Sequence, residues 1–289
     1  MPAILALSSS VLWGTADFFG GVLSRRMPAV VVVLLTQTLA LALLLGVVTV
    51  SGSWSWSPTQ AWWGIGAGVV GPVALIAFYR GLATGRMGVV SPIAATGVAV
   101  PVLVGLAQGD RPSTVQVAGL VLAVVGVVLV GGPDVRSDGQ GTRPGGGQWR
   151  PVALAVVAAL GFGGAFVFLD GGAQAAPGSG ILMLLVVQRA TSVALLVVPV
   201  LVFVGVSSVR RGSLPALVGV GAADVGANGL YAVASTFGLL SVTAALGSMY
   251  PVMTLFLARA LLHERLTRLQ GYGVVTALAG VVLLAVGPS

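Results

Sequence analysis

The sequence has no cysteine and no lysine, and holds one histidine and one asparagine. Without cysteine there are no disulfides, thiol nucleophiles or thiolate metal sites, and the compartment stays open. Charge is scarce too. Only 7% of the 289 residues are charged, against about 25% in ordinary soluble domains, too little polar sequence to coat a soluble globule. No Walker, G-x-S-x-G or H-E-x-x-H sequence occurs, and His263 sits at a loop edge. A catalytic role therefore has almost nothing to stand on, and no metal or cofactor is expected. Gly66-Ala-Gly68-Val-Val-Gly71 matches a dinucleotide fingerprint, but it lies inside an apolar run with Arg86 where an acid belongs. The net charge of +7 rests on arginines in short loops, a topology signal rather than a nucleic-acid surface. The opening MPAILALSSS lacks a basic region, so no cleaved signal peptide is expected.

What fills the chain is apolar sequence, 57% of it, in runs near the ~20 residues that cross a bilayer. Ten spans are predicted: Pro2–Leu23, Pro28–Val50, Gln60–Tyr79, Gly88–Gln108, Ser113–Gly131, Pro151–Leu169, Ser179–Val206, Ser213–Ser235, Leu239–Leu262 and Leu269–Val286. The expected fold class is an all-α integral membrane protein. Trp54, Trp56, Trp62 and Trp63, with Tyr79, suit an interfacial aromatic belt.

One stretch occurs twice. Gly88–Pro101 and Gly238–Pro251 are identical at six of fourteen positions, and Asp110–Val130 and Glu264–Leu284 at nine of twenty-one. More weakly, Tyr79 aligns with Tyr231, Gln37 with Gln188, and Trp13-Gly14 with Phe162-Gly163. The chain divides into a first five-helix repeat at 1–131, a Gly-rich polar linker at 132–150 and a second repeat at 151–289. An odd number of spans per half turns the second half upside down, the inverted-repeat design of many transporters. Loops on one side hold eleven arginines and those on the other hold Arg111 alone. That bias puts the linker in the cytoplasm and both termini outside.

Charges inside spans are costly, on the order of 3 kcal/mol at a span centre, and so face a partner or a wet cavity. Asp224 lies mid-span with Asn228 and Tyr231 at i+4 and i+7 on one helical face. Arg189 enters at similar depth and is within reach of Asp224; the two either fasten spans seven and eight or serve a substrate group or proton. Asp17, beside Trp13, is either neutralised by Arg25 or Arg26 or faces a cavity. Gln37 and Gln188, at matching positions, suit hydrogen bonds between helices more than substrate contact. Trp13 either walls a cavity or packs. Pro101 and Pro251 match between repeats and predict a shared kink or hinge, with Tyr250 offering its hydroxyl where the helix opens.

The second copy carries Tyr250-Pro251, His263-Glu264-Arg265-Leu266-Thr267, Gln270, Gly273 and Gly280-Val-Val-Leu-Leu284; the first carries Pro101, Asp110-Arg111, Gln116, Gly119 and Gly126-Val-Val-Leu129. This pattern resembles the drug/metabolite transporter superfamily and, within it, the EamA family, over essentially the whole chain. Asp110 stands where an acid is usually Glu, and span four is a turn shorter. The resemblance implies secondary transport, often export, of amino acids, related metabolites or drugs. It also implies a cavity lined by spans one, three, four, six, eight and nine. Asp17, Asp224, Asn228 and Tyr250 would then see the cavity, with Arg189 one layer behind. The expected setting is a bacterial plasma membrane, and the expected partners are a small-molecule substrate, the bilayer and protons as a candidate coupling ion. Dimerisation is not required. An uncoupled facilitator or channel is the alternative.

Overall fold

A run such as Val30–Val33 would favour a strand in water, but a lipid-embedded backbone must satisfy every N–H and C=O within its own segment, and the helix does that. The computed structural model describes residues 2–55, 57–107, 113–130, 149–175, 180–205, 209, 211–237 and 249–286, and all their regular structure is helical. The α-helices are α1 (Pro2–Ser24), α2 (Ala29–Ser51), α3 (Pro58–Thr84), α4 (Met87–Ala95), α5 (Ala99–Ala107), α6 (Thr114–Val130), α7 (Trp149–Ala175), α8 (Gly180–Pro199), α9 (Leu214–Phe237), α10 (Tyr250–Leu262) and α11 (Arg268–Val286). Four stretches of the described residues are long and apolar enough to cross a membrane: Ala29–Ser51, Pro58–Thr84, Trp149–Leu169 and Gly180–Val204. Large apolar side chains such as Val50, Leu160, Phe203 and Val275 lie exposed on the outer faces, as lipid contact requires.

Helix ends follow local chemistry. Ser57 accepts the N–H of Gln60, with Pro58 in the first turn of α3. Gly52 closes α2 at φ 66°. Several ends differ from expectation. Helix α3 runs on to Thr84, five residues past the predicted Tyr79. Helix α7 runs on to Ala175, six residues past the predicted Leu169. The fourth span is broken at a 3-10 turn, Thr96–Val98, one turn before Pro101. Proline has no N–H for the carbonyl four residues earlier, which is that of Gly97, and this carbonyl faces Gly163 of α7. Pro251 sits in the first turn of α10, where a missing N–H costs nothing. The residues before Met249 that would pair with the Thr96–Val98 break lie outside the described residues, as do residues 132–148 of the linker and Asp110-Arg111, while Trp149 and Arg150 already belong to α7.

The broadest helix contacts are α3 with α7, α1 with α9, and α6 with α11; α2 lies on α8. Glycine makes them close. The glycines of the discounted dinucleotide motif pack helices: Gly66 lies under Phe168 of α7, and Gly68 against Gln188 and Thr191 of α8. Gly126 of α6 lies on Ala277 of α11, and Gly280 of α11 on Ala123 of α6, pairs that correspond in the repeat alignment. Likewise Gly14 packs on Tyr250, Met253 and Thr254 while Gly163, its repeat partner, packs on Gly97 and Val100.

The main buried apolar cluster is off-centre. It gathers the C-terminal ends of α1, α3 and α8 with the N-terminal ends of α2, α4 and α9, through side chains such as Phe18, Val32, Phe78, Ile93, Leu196 and Leu217. A small second cluster, Leu44, Val48 and Val186, sits at the other end between α2 and α8.

Candidate polar site between the helices

Arg189, halfway along α8, organises the site. Its Nη2 donates to Asp224 Oδ2 of α9 at 2.8 Å and its Nη1 to Gln37 Oε1 of α2 at 2.6 Å, while its Nε is buried without a partner among the described residues. The pair is not sealed: the Asp224 side chain keeps 28% of its surface accessible, against 11% for Arg189. One turn on, Asn228 Nδ2 donates to the Asp224 backbone carbonyl at 2.6 Å and lies 3.4 Å from Oδ1. A further turn brings Tyr231, whose ring meets Trp13 of α1 with centroids 5.5 Å apart. Gln37, buried, thus makes its hydrogen bond between helices, from α2 to the arginine of α8. Gln188 turns toward α3: its amide faces Gly71 and its Oε1 is buried without a described partner.

Asp17 lies one turn beyond Trp13 on α1. Arg25 reaches away from it to Glu264, and no described residue forms an ion pair with Asp17. On the same helix, Gly14 lies against the backbone of Tyr250 and Gly20 against the ring of Tyr79. The aromatic belt therefore loses Tyr79. That ring is buried against Gly20 of α1, three residues after Asp17. Its repeat partner Tyr231 had been placed inward, so the alignment held the signal. Trp54 and Trp62 are exposed as a belt requires, but Trp63 packs on Phe168, Gly171 and Gly172. Phe162, the counterpart of Trp13, packs edge-on against Phe78.

Hydroxyls brace this frame without any motif to announce them. Ser9 donates to the Ala227 carbonyl at 2.7 Å, Thr254 to that of Gly14 at 3.1 Å, and Ser192 to that of Gly68 at 3.0 Å. Each ties two helices at a position where lipid offers no hydrophobic drive. The result is an amphiphilic cluster of two carboxylates, one guanidinium, two amides and aromatic rings, able to bind charge and hydrogen-bonding groups within a bundle. Among the described residues no group of His, Cys, Asp or Glu is arranged to hold a metal.

A solved crystal structure, whose description names no activity, shares the fold with a TM-score of 0.63 at 17% identity, covering 98% of this chain and 95% of that chain. No curated protein matches. A model of the EamA-like transporter family matches residues 1–132 and 149–286. Spanning nearly the whole chain with that match, the protein belongs to the EamA-like transporter family: a multi-pass membrane transport protein whose partners are small solutes and the bilayer.

Proposed function

We propose that this is a secondary-active exporter of small metabolites, amino acids or drug-like compounds among them, working by alternating access in a bacterial inner membrane. Its ten spans form two inverted halves, 1–131 and 151–289, joined by a cytoplasmic linker at 132–150, with both termini outside. Support comes from the helix pairing: exchanging the halves turns the α3–α7 contact into α1–α9 and leaves α6–α11 unchanged, as a two-fold relation demands. Pro101 and Pro251, each at the start of a helical segment, are the hinges.

The observation that carries the reading is the cluster of Arg189, Asp224, Gln37 and Asn228, with Asp17, which has no ion-pair partner among the described residues, on the neighbouring helix, lying beyond the apolar cluster at the linker end. Trp13, Tyr231 and Tyr250 complete the substrate wall, and Gln188 supports it from the α3 side. No nucleotide-binding sequence is present, so a gradient supplies the energy; a charge moved across 100 mV gains about 2.3 kcal/mol, and protons at Asp224 or Asp17 are the coupling ion.

Comparison of solutes in cells and medium, in a host expressing the protein or an empty vector, tests this. Enrichment of a solute class outside is expected, and identical profiles across several hosts contradict it. The second reading, an uncoupled facilitator, draws on the partly accessible Asp224. Saturable counterflow of the identified solute would exclude a simple pore, and accumulation against its own gradient, lost when the proton gradient is collapsed, separates coupled export from an uncoupled facilitator.

A further inference from the structure

The Glu264-Arg265-Leu266-Thr267 motif does not touch the polar site, yet its acid is held on three sides. Glu264 Oε1 lies 3.4 Å from Arg25 Nη2, in the turn after α1, and accepts the backbone N–H of Met87 at 3.2 Å; Oε2 accepts that of Gly88 at 3.3 Å. Met87 and Gly88 open α4, whose N-terminus has no capping side chain of its own: Arg86 stands at the cap position and makes no side-chain cap bond. A carboxylate there meets unsatisfied N–H groups and the positive end of the helix dipole. One side chain from the loop after α10 thus joins α4 to the turn after α1, over the apolar cluster that closes this end of the bundle.

The chain turns to place it. His263 is the only described residue other than glycine with positive φ, at 55°, and this left-handed turn ends α10 and directs Glu264 back toward α4. Beside it is a cavity of about 270 Å³ lined by Arg259, His263, Glu264 and Arg265, space into which the carboxylate can swing when released.

We propose that Glu264 is the latch of the linker-side gate: its bonds to Arg25 and to the α4 N-terminus hold that end shut, and their rupture lets α4 part from α1 and α10. The proposal rests on the alternating-access reading and assigns the gate of that cycle. The buried Ser91, one turn below Met87, with a hydroxyl lacking any described partner, lies behind the latch.

The natural absence of cysteine makes the test direct. Ser91→Cys reports the gate, and Ser10→Cys, also buried and in the N-terminal half of α1, reports the fold. Each is labelled with an impermeant maleimide in inside-out vesicles. Adding Glu264→Gln is expected to raise Ser91→Cys labelling roughly tenfold, the scale of a charge-assisted bond lost, while Ser10→Cys stays protected. Arg25→Gln, which leaves both α4 bonds in place, raises it less and carries the test if Glu264→Gln fails to assemble. Labelling that rises at both cysteines, or at neither, overturns the latch. Solute profiles of the same strains are read separately. No export by strains that keep Glu264 and Arg25, beside an intact labelling response to their replacement, contradicts transport and leaves the latch standing; export with unchanged labelling does the reverse.

Discussion

Arg189 is held by one carboxylate and one amide from two other helices. Removing the carboxylate strands a largely buried cation, so Asp224→Ala is expected to destabilise the protein by ~3 kcal/mol. Replacing both charges, as Arg189→Gln with Asp224→Asn, recovers most of the loss. Thermal unfolding of the purified proteins in detergent checks both, and additive losses would contradict a coupled pair. At His263 the left-handed backbone costs about 1 kcal/mol for any residue with a Cβ, so His263→Gly should raise the midpoint and His263→Val lower it. Much at this scale is legible in sequence: the i, i+4, i+7 row of Asp224, Asn228 and Tyr231 follows from helical periodicity alone. Two features are not. Gln37 meets Arg189 across 152 residues of chain, and Glu264 binds backbone N–H groups, which every residue but proline offers and no motif records.

Between helices, glycine sets the spacing. Gly126 lies on the backbone of Ala277, whereas Gly46 on α2 has open space around it. Gly126→Leu should therefore separate α6 from α11 and cost on the order of 3 kcal/mol, while Gly46→Leu changes little. Equal effects in the same unfolding measurement would contradict this account of the contact. The ends of most helices were close to expectation because apolar runs stop where Ser-Pro, Gly or arginine sequences begin. The break in the fourth span was expected at Pro101 and lies a turn earlier. A proline disrupts the carbonyl four residues before it, and where the backbone yields depends on what that carbonyl meets, here Gly163 of α7.

For the whole molecule, the contact of Arg25, Met87 and Glu264 brings the turns after α1, α3 and α10 to one face, as the proposed topology requires of its arginine-rich side. Alkaline phosphatase fused at Ser289 should be active and one fused within the linker inactive; the opposite pattern would reverse the orientation. The all-helical membrane fold was legible in the apolar runs of the sequence, and the repeat and the arginine bias are what the proposed topology is read from; the off-centre apolar cluster was not legible, since its side chains look like any others until the helices converge.

Export that depends on Asp224 is the central claim, and its most direct measurement compares solutes in cells and medium for the wild type, Asp224→Asn and an empty vector at matched membrane levels across a range of external pH. The account predicts a solute class that accumulates outside with the wild type in a pH-dependent way and stays at vector level with Asp224→Asn. An Asp224→Asn profile that equals the wild type, pH dependence included, would contradict it and make the Arg189–Asp224 pair a fastening between α8 and α9.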